Sequence, residues 1–203
     1  MVKLFTGQYT VSSDLLMTRY PTNRERLMDA AGDLFYREGL RAITADRVAA
    51  EAGLTKPTIY NLFGSKDALV LGTLRRRAEQ IRHSIEARSA AHDDPERKLL
   101  EVLNAHADML TAEGFHGCPL IIAAIQAPDS PEARQLAHGH KAWLQTLMAR
   151  FARRAGFTAP DALAASLLLI LEGAAAMSTV QPADVVARHA RAATRAVMSS
   201  HRP

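Results

Sequence analysis

Five polar side chains fall within one short stretch of the N-terminal third: Thr55, Lys56, Thr58, Tyr60 and Asn61. Mounted on a helix, these types suit nucleic acid. An ammonium meets phosphate or guanine, hydroxyls meet phosphate oxygens, and a carboxamide meets an adenine edge or phosphate. Such a surface needs a rigid support. Thr55 opens a predicted helix with Pro57 in its first turn, where a missing N–H costs little, and the helix runs to Phe63 before Gly64-Ser65. A short helix over Ala45–Ala52 precedes it, capped by Thr44, with Val48, Ala49 and Ala52 facing inward. Gly53 takes the turn between them, and small residues such as Ala49 permit close approach. This is the spacing of a helix-turn-helix, whose second helix enters the major groove. A packing hairpin has the same spacing, so spacing alone leaves both readings open.

Charge placement favours the first. The formal net charge is +4. Eleven basic and seven acidic side chains lie in residues 17–77, whereas residues 78–203 carry thirteen of each sign. The whole excess sits in one third of the chain, the bias expected of a surface that neutralises phosphates and releases counterions.

The rest of the chain reads as all-α. Thr22 and Glu25 have capping-box spacing. Leu27, Ala30, Ala31, Leu34 and Phe35 then mark one helical face, with Gly39 as a left-handed C-cap. A long helix from Ser65 carries Leu69, Leu74, Ala78, Ile81 and Ile85 and ends near His92-Asp93. Asp94-Pro95 and Ser130-Pro131 start two more, the second stopping at Gly156, with an apolar stretch Leu120–Ile125 between them. Two final helices span Asp161–Met177 and Ala183–Ser199. Residues 1–16 show no helical period; they read as a leader or as an extension ahead of a start at Met17. The predicted domains are a flexible leader or arm (1–20), a helix-turn-helix domain (21–66) and a helical effector-binding and dimerisation domain (67–203).

The run Val48-Ala49-Ala50-Glu51-Ala52-Gly53-Leu54-Thr55-Lys56-Pro57-Thr58-Ile59-Tyr60-Asn61-Leu62-Phe63-Gly64-Ser65-Lys66-Asp67-Ala68-Leu69 resembles the signature of the tetracycline-repressor (TetR) family, and Leu27–Gly39 is similar to its first helix. Looser likeness extends through Gly117-Cys118-Pro119, Pro128-Asp129, the Trp143 helix and Leu171-Glu172-Gly173-Ala174. The resemblance implies a homodimer that reads a palindromic DNA operator and is released by a small-molecule effector, most often as a repressor. Carried onto this chain, it puts Thr44 and Arg47 near the DNA backbone. Thr55, Lys56, Pro57, Thr58, Tyr60 and Asn61 form the recognition surface, and Lys66 meets a phosphate. Leu62 departs from the family pattern, where His or Tyr is usual, which removes one link to phosphate. Arg19 and Arg24 add contacts from an arm by composition only.

The family also implies a pocket in residues 78–203. Its candidate lining is Met109, Phe115, Cys118, Leu120, Ile121, Trp143, Leu147 and Phe151, which suits an apolar or aromatic effector; the same residues also read as plain core. Small and aliphatic faces on the last two helices (Ala165, Leu168, Leu169, Ala175 and Ala176, then Val185, Val186, Ala190, Ala193 and Val197) suit either a two-fold four-helix bundle or an intramolecular hairpin. The histidines read as scattered surface residues with no ligand spacing, so no metal or cofactor is expected. Cys118 reads as a small apolar residue rather than a redox sensor. No Gly-rich phosphate loop, nucleophile elbow or paired carboxylate appears, which argues against an enzyme. A lone cysteine, no secretory signal and no unbroken apolar span fit a cytoplasmic protein. The rival reading is a helical small-molecule-binding or scaffold protein without operator binding.

Overall fold

A computed structural model describes residues 21–203; the expectations for residues 1–20, the leader and Arg19 among them, lie outside the described residues. Among the described residues there is no strand. The helices are α1 (Asn23–Glu38), α2 (Ala45–Glu51), α3 (Lys56–Phe63), α4 (Lys66–Ala90), α5 (Pro95–Leu110), α6 (Pro119–Gln126), α7 (Pro131–Arg154), α8 (Pro160–Met177) and α9 (Ala183–Ser200). The chain divides into two compact units, one ending at Leu74 and one running Arg75–Pro203, so the division falls inside α4.

In the first unit, local chemistry sets each helix start. Thr22 Oγ1 accepts from the Glu25 N–H at 3.2 Å while the Glu25 carboxylate accepts from the Thr22 N–H at 2.7 Å, a complete capping box. Thr44 caps α2 through the Arg47 N–H at 3.2 Å, and Ser65 caps α4 through the Ala68 N–H at 3.0 Å. The predicted apolar face of α1 is buried in full, and Val48 and Ile59 are wholly enclosed beside it. Two details differ from expectation. Gly39 caps α1 with the positive φ expected of it (84), but its ψ of 160 lies outside the left-handed helical region, and a 3-10 turn over Leu40–Ala42 follows. Helix α4 also stops at Ala90, short of His92.

The second unit is built on α7, which packs against α5, α6 and α8, while α9 packs on α5 and α8. Ile81, Ile85, Leu99, Leu144, Leu163 and Leu167 meet in its main core. A charged network covers one side: Arg88 reaches Glu101 at 3.0 Å and Asp108 at 2.9 Å, and Arg191 reaches Asp108 at 2.7 Å. Helix α8 is the one place where the hydropathy reading changes. Over 18 residues its mean hydropathy is 1.5, enough in length and composition to cross a membrane. Yet Glu172 sits within it, ion-paired to Lys141, and Leu163, Ala164 and Leu167 are fully enclosed in the core. One face of α8 is therefore core, while its outer face, with Leu169, is open.

Two histidines also depart from the surface reading. His140 is 2 % exposed and His106 is 8 % exposed. His106 Nδ1–H donates to the Val102 carbonyl at 2.9 Å. Burial, with the nearby charges of Lys141 and Arg82, pushes the His140 imidazole down to about 3. Burial likewise lowers His106. An unfolded imidazole titrates near 6.5 (about that value in model peptides), so the unfolded chain binds the extra proton first. Stability therefore falls as pH drops from that value towards the folded one, by about 1.4 kcal/mol per pH unit for His140. Urea unfolding at neutral and mildly acidic pH should show this slope, and His140→Phe should lessen it.

Candidate nucleic-acid interface

Helix α3 buries one side chain in full. Ile59 is 0 % exposed, while Thr55, Lys56, Pro57, Tyr60 and Asn61 face solvent and Thr58 is half-buried. An apolar spine facing inward under a polar outer face is what a recognition helix requires, because the readers must be held without being covered. Gly53 makes the turn into it with φ 62, and the Leu54 N–H donates to the Ala49 carbonyl at 2.8 Å. Gly64 (φ 79) ends α3, its N–H donating to the Tyr60 carbonyl at 2.9 Å.

Several of the candidate contact residues are already engaged within the first unit. Lys56 Nζ lies 2.9 Å from Asp46, and that hydrogen bond and charge raise the Lys56 ammonium above its usual range. Arg47 pairs with Glu38 at 2.7 Å, and the Thr55 and Thr58 hydroxyls are 2.9 Å apart. Thr44 is exposed but commits its hydroxyl to the α2 cap. Lys66 Nζ donates to the Ile43 carbonyl at 3.2 Å, which ties the segment before α2 to the start of α4. Leu62 stands 37 % exposed on the same helix, an apolar side chain among polar ones. The Lys56–Asp46 pair is exposed and so readily exchanged for a phosphate. Asp46→Ala frees the ammonium and removes a repelling charge. Binding to any duplex should strengthen by roughly several-fold at low salt, and the gain should fade as salt rises; fluorescence anisotropy across a salt series checks this.

Two arginines that composition alone could not place hold α3 and the bend before it. Arg24 Nη1 donates to the Leu62 carbonyl at 2.9 Å, and its guanidinium lies 4.3 Å from the Phe63 ring centroid, so it braces the C-terminal end of α3. Arg26 Nη2 donates to the Ala52 carbonyl at 2.6 Å, across the helix-turn-helix bend. Both act through position rather than as free cations.

The eight candidate effector contacts do not form one surface. Leu147 and Phe151 lie in the main core, and Trp143 packs against it half-buried. Phe115 packs instead on a second cluster around Leu110, Ala174 and Val186. Met109, Cys118 and Ile121 are half-buried, and Leu120 is enclosed. Cys118 Sγ lies 3.3 Å from Lys141 Nζ, which is also 2.5 Å from Glu172. A cleft of about 30 Å³ between α5, α8 and α9, walled by Leu103, Asn104, Leu171, Arg191 and Thr194, contains none of the eight. It has room for water rather than for an effector. Among the described residues no cluster of metal-ligating side chains occurs.

Residues 27–73 match the family described as bacterial regulatory proteins, tetR family. Among curated relatives, the chain is 26 % identical over 83 residues to the HTH-type transcriptional regulator BetI of Brucella anthropi, spanning 41 % of this chain and 43 % of that protein. It is 38 % identical over 64 residues to the HTH-type transcriptional regulator AlkX of Mycobacterium tuberculosis, spanning 32 % of this chain and 30 % of that protein. The match thus covers less than half the length of these relatives. Likeness in structure is wider. SCO4454, a TetR-family transcriptional regulator from Streptomyces coelicolor, superposes with a TM-score of 0.85 at 25 % identity, covering 89 % of this chain and 96 % of that one. The multidrug binding protein EbrR, solved in complex with malachite green, shares the fold at 20 % identity with a TM-score of 0.68, covering 87 % of this chain and 98 % of that one.

Proposed function

We propose that the chain is a transcriptional regulator of the tetR family, a reading supported by the match over residues 27–73, and that it binds a palindromic DNA operator as a homodimer and is released by a small-molecule effector. The observation that carries this reading is the exposed Thr55–Asn61 surface of α3, held over a buried Ile59 in the segment that matches the family. In this reading residues 21–66 are the DNA reader. Lys56, Tyr60 and Asn61 approach base edges and phosphates, with Thr55, Pro57 and Thr58 beside them. Thr44, Arg47 and Lys66 lie along the backbone. Residues 67–203 bind effector and pair the chains, and the protein works in the cytoplasm as a repressor.

Pairing is supported by the outer face of α8 and the turn that follows it. Leu169 is 74 % exposed and Val180 76 % exposed, with Met177, Gly173 and Ala176 open beside them. Several small residues of the last two helices are used within the chain, Ala175, Val186 and Ala190 among them. Leu169, Ala176 and Ala193 remain exposed. An apolar strip of that kind on a helix is what a two-fold helix bundle covers.

A two-fold dimer sets its readers about one DNA turn apart, roughly 34–36 Å. An effector releases DNA only by its differential affinity for a dimer with another spacing. The test is selection from random duplexes with the full chain, followed by sedimentation of the complex. An inverted repeat bound by two chains is expected. Failure to enrich any sequence, or one chain per duplex, overturns the reading.

A further inference from the structure

Unmatched polar groups in the second unit gather around one indole. Trp143 is the chain's single tryptophan. The Arg82 guanidinium lies over its ring, 5.0 Å from the centroid, and the His140 ring centroid is 5.5 Å away with its plane tilted by 38°. Arg82 Nη2 donates to the Gly139 carbonyl at 3.3 Å. Its Nε is nevertheless buried without an acceptor, and so is Nδ1 of His140, a side chain only 2 % exposed. Buried polar atoms are nearly always matched, so two orphans flanking one ring point to a missing partner.

The charge balance names the sign of that partner. Lys141 is neutralised by Glu172 at 2.5 Å. Arg82 makes no ion pair among the described residues and is half-buried, while His140 is neutral in the fold. One positive charge is left uncompensated beside an apolar ring, a costly arrangement unless an anion joins it. Gly139 adds an approach. It lies in the body of α7, where glycine is a poor helix former, and nothing stands within 4 Å of where its Cβ would be. The surface beside the guanidinium is therefore bare.

We propose that Arg82, His140 and Trp143 form the effector site, and that the effector is an organic carboxylate on a flat or apolar body. Its oxygens accept from Arg82 Nε–H and His140 Nδ1–H while its body lies against the indole. The proposal rests on the reading of this unit as the effector domain, and it replaces a wholly apolar lining with one charged anchor. The paired oxygens of a carboxylate suit the Arg82 Nε–H and the Nδ1–H tautomer of His140, both on the Trp143 ring, and that ring favours a carbon skeleton over a bare inorganic ion.

Because Trp143 is the only tryptophan, its emission reports on this site directly. The full-length protein is titrated with phenylacetate, benzoate and octanoate, with phenylacetamide and octanamide as neutral counterparts and sodium phosphate as a bare anion. The carboxylates should shift or quench the emission, and the amides should bind about tenfold more weakly or worse. Arg82→Lys keeps the charge but loses the Nε–H, and should weaken carboxylate binding by about tenfold. Gly139→Leu adds a side chain in open space on a helix, stays folded, and should weaken binding by covering the approach. Silent emission with every carboxylate overturns the proposal. So does equal binding of acid and amide, or a response to phosphate as strong as to the carboxylates. Operator binding is followed in parallel: its absence counts against the regulator reading, whereas intact operator binding with a silent tryptophan overturns only this site.

Discussion

Gly53→Val is expected to abolish binding to any duplex that the wild-type chain selects, although Gly53 lies in the turn and not on the exposed face of α3. Its φ of 62 lies in the left-handed region, where a β-branched residue costs roughly 1–2 kcal/mol. The added Cβ would also stand 2.9 Å from Arg26 Nη2. That atom cannot simply swing aside, because it is pinned to the Ala52 carbonyl at 2.6 Å, and a hydrogen bond from a charged donor is worth roughly 1.5–3 kcal/mol. Together these amount to about 3 kcal/mol, a large share of what a unit this small possesses. The double variant Arg26→Ala/Gly53→Val removes the collision and should be little worse than Gly53→Val alone. Duplex binding and thermal melts of the wild type, Gly53→Val, Arg26→Ala and the double variant measure this. Equal binding by wild type and Gly53→Val would mean that the bend plays no part in holding α3.

The second large effect lies in the other unit. Glu172→Leu leaves the Lys141 ammonium without its counterion where only 15 % of that side chain is exposed. Breaking a fully buried pair costs about 3–5 kcal/mol. With both partners partly exposed, a cost of about 2–3 kcal/mol is expected, which lowers the melting midpoint by roughly 5–15 °C. Lys141→Met/Glu172→Leu replaces the pair with apolar groups of similar size and should regain most of that loss. If the double variant melts no higher than Glu172→Leu, the loss comes from packing of α8 rather than from a stranded charge.

The reading head is legible in the sequence because its signals are local. The Thr22–Glu25 box, the Leu27–Phe35 face and the glycine at 53 each act within a few residues, and each holds in the fold. The 3-10 turn at Leu40–Ala42 does not follow from the sequence, since a helix-ending glycine does not reveal its ψ. The roles of Arg24 and Arg26 depend on partners 38 and 26 residues away. The same limit governs the second unit. Its apolar faces follow from periodicity, but whether His140 is a surface or an enclosed residue depends on how α7 is rotated against its neighbours. Glu172 reads as an interruption of an apolar block until Lys141, 31 residues earlier, is seen beside it. Long-range polar pairing leaves no spacing to read.

Whether the exposed face of α3 reads DNA is decided most directly by equilibrium binding over a series of salt concentrations. The wild-type chain and Lys56→Ala/Tyr60→Ala are each titrated against the selected duplex. The affinity of the wild type should fall linearly with salt on logarithmic axes. The variant should bind more weakly, with a slope shallower by about one for the phosphate that Lys56 no longer neutralises. Binding that ignores salt, or a variant that matches the wild type in both affinity and slope, would mean that α3 is not the DNA reader.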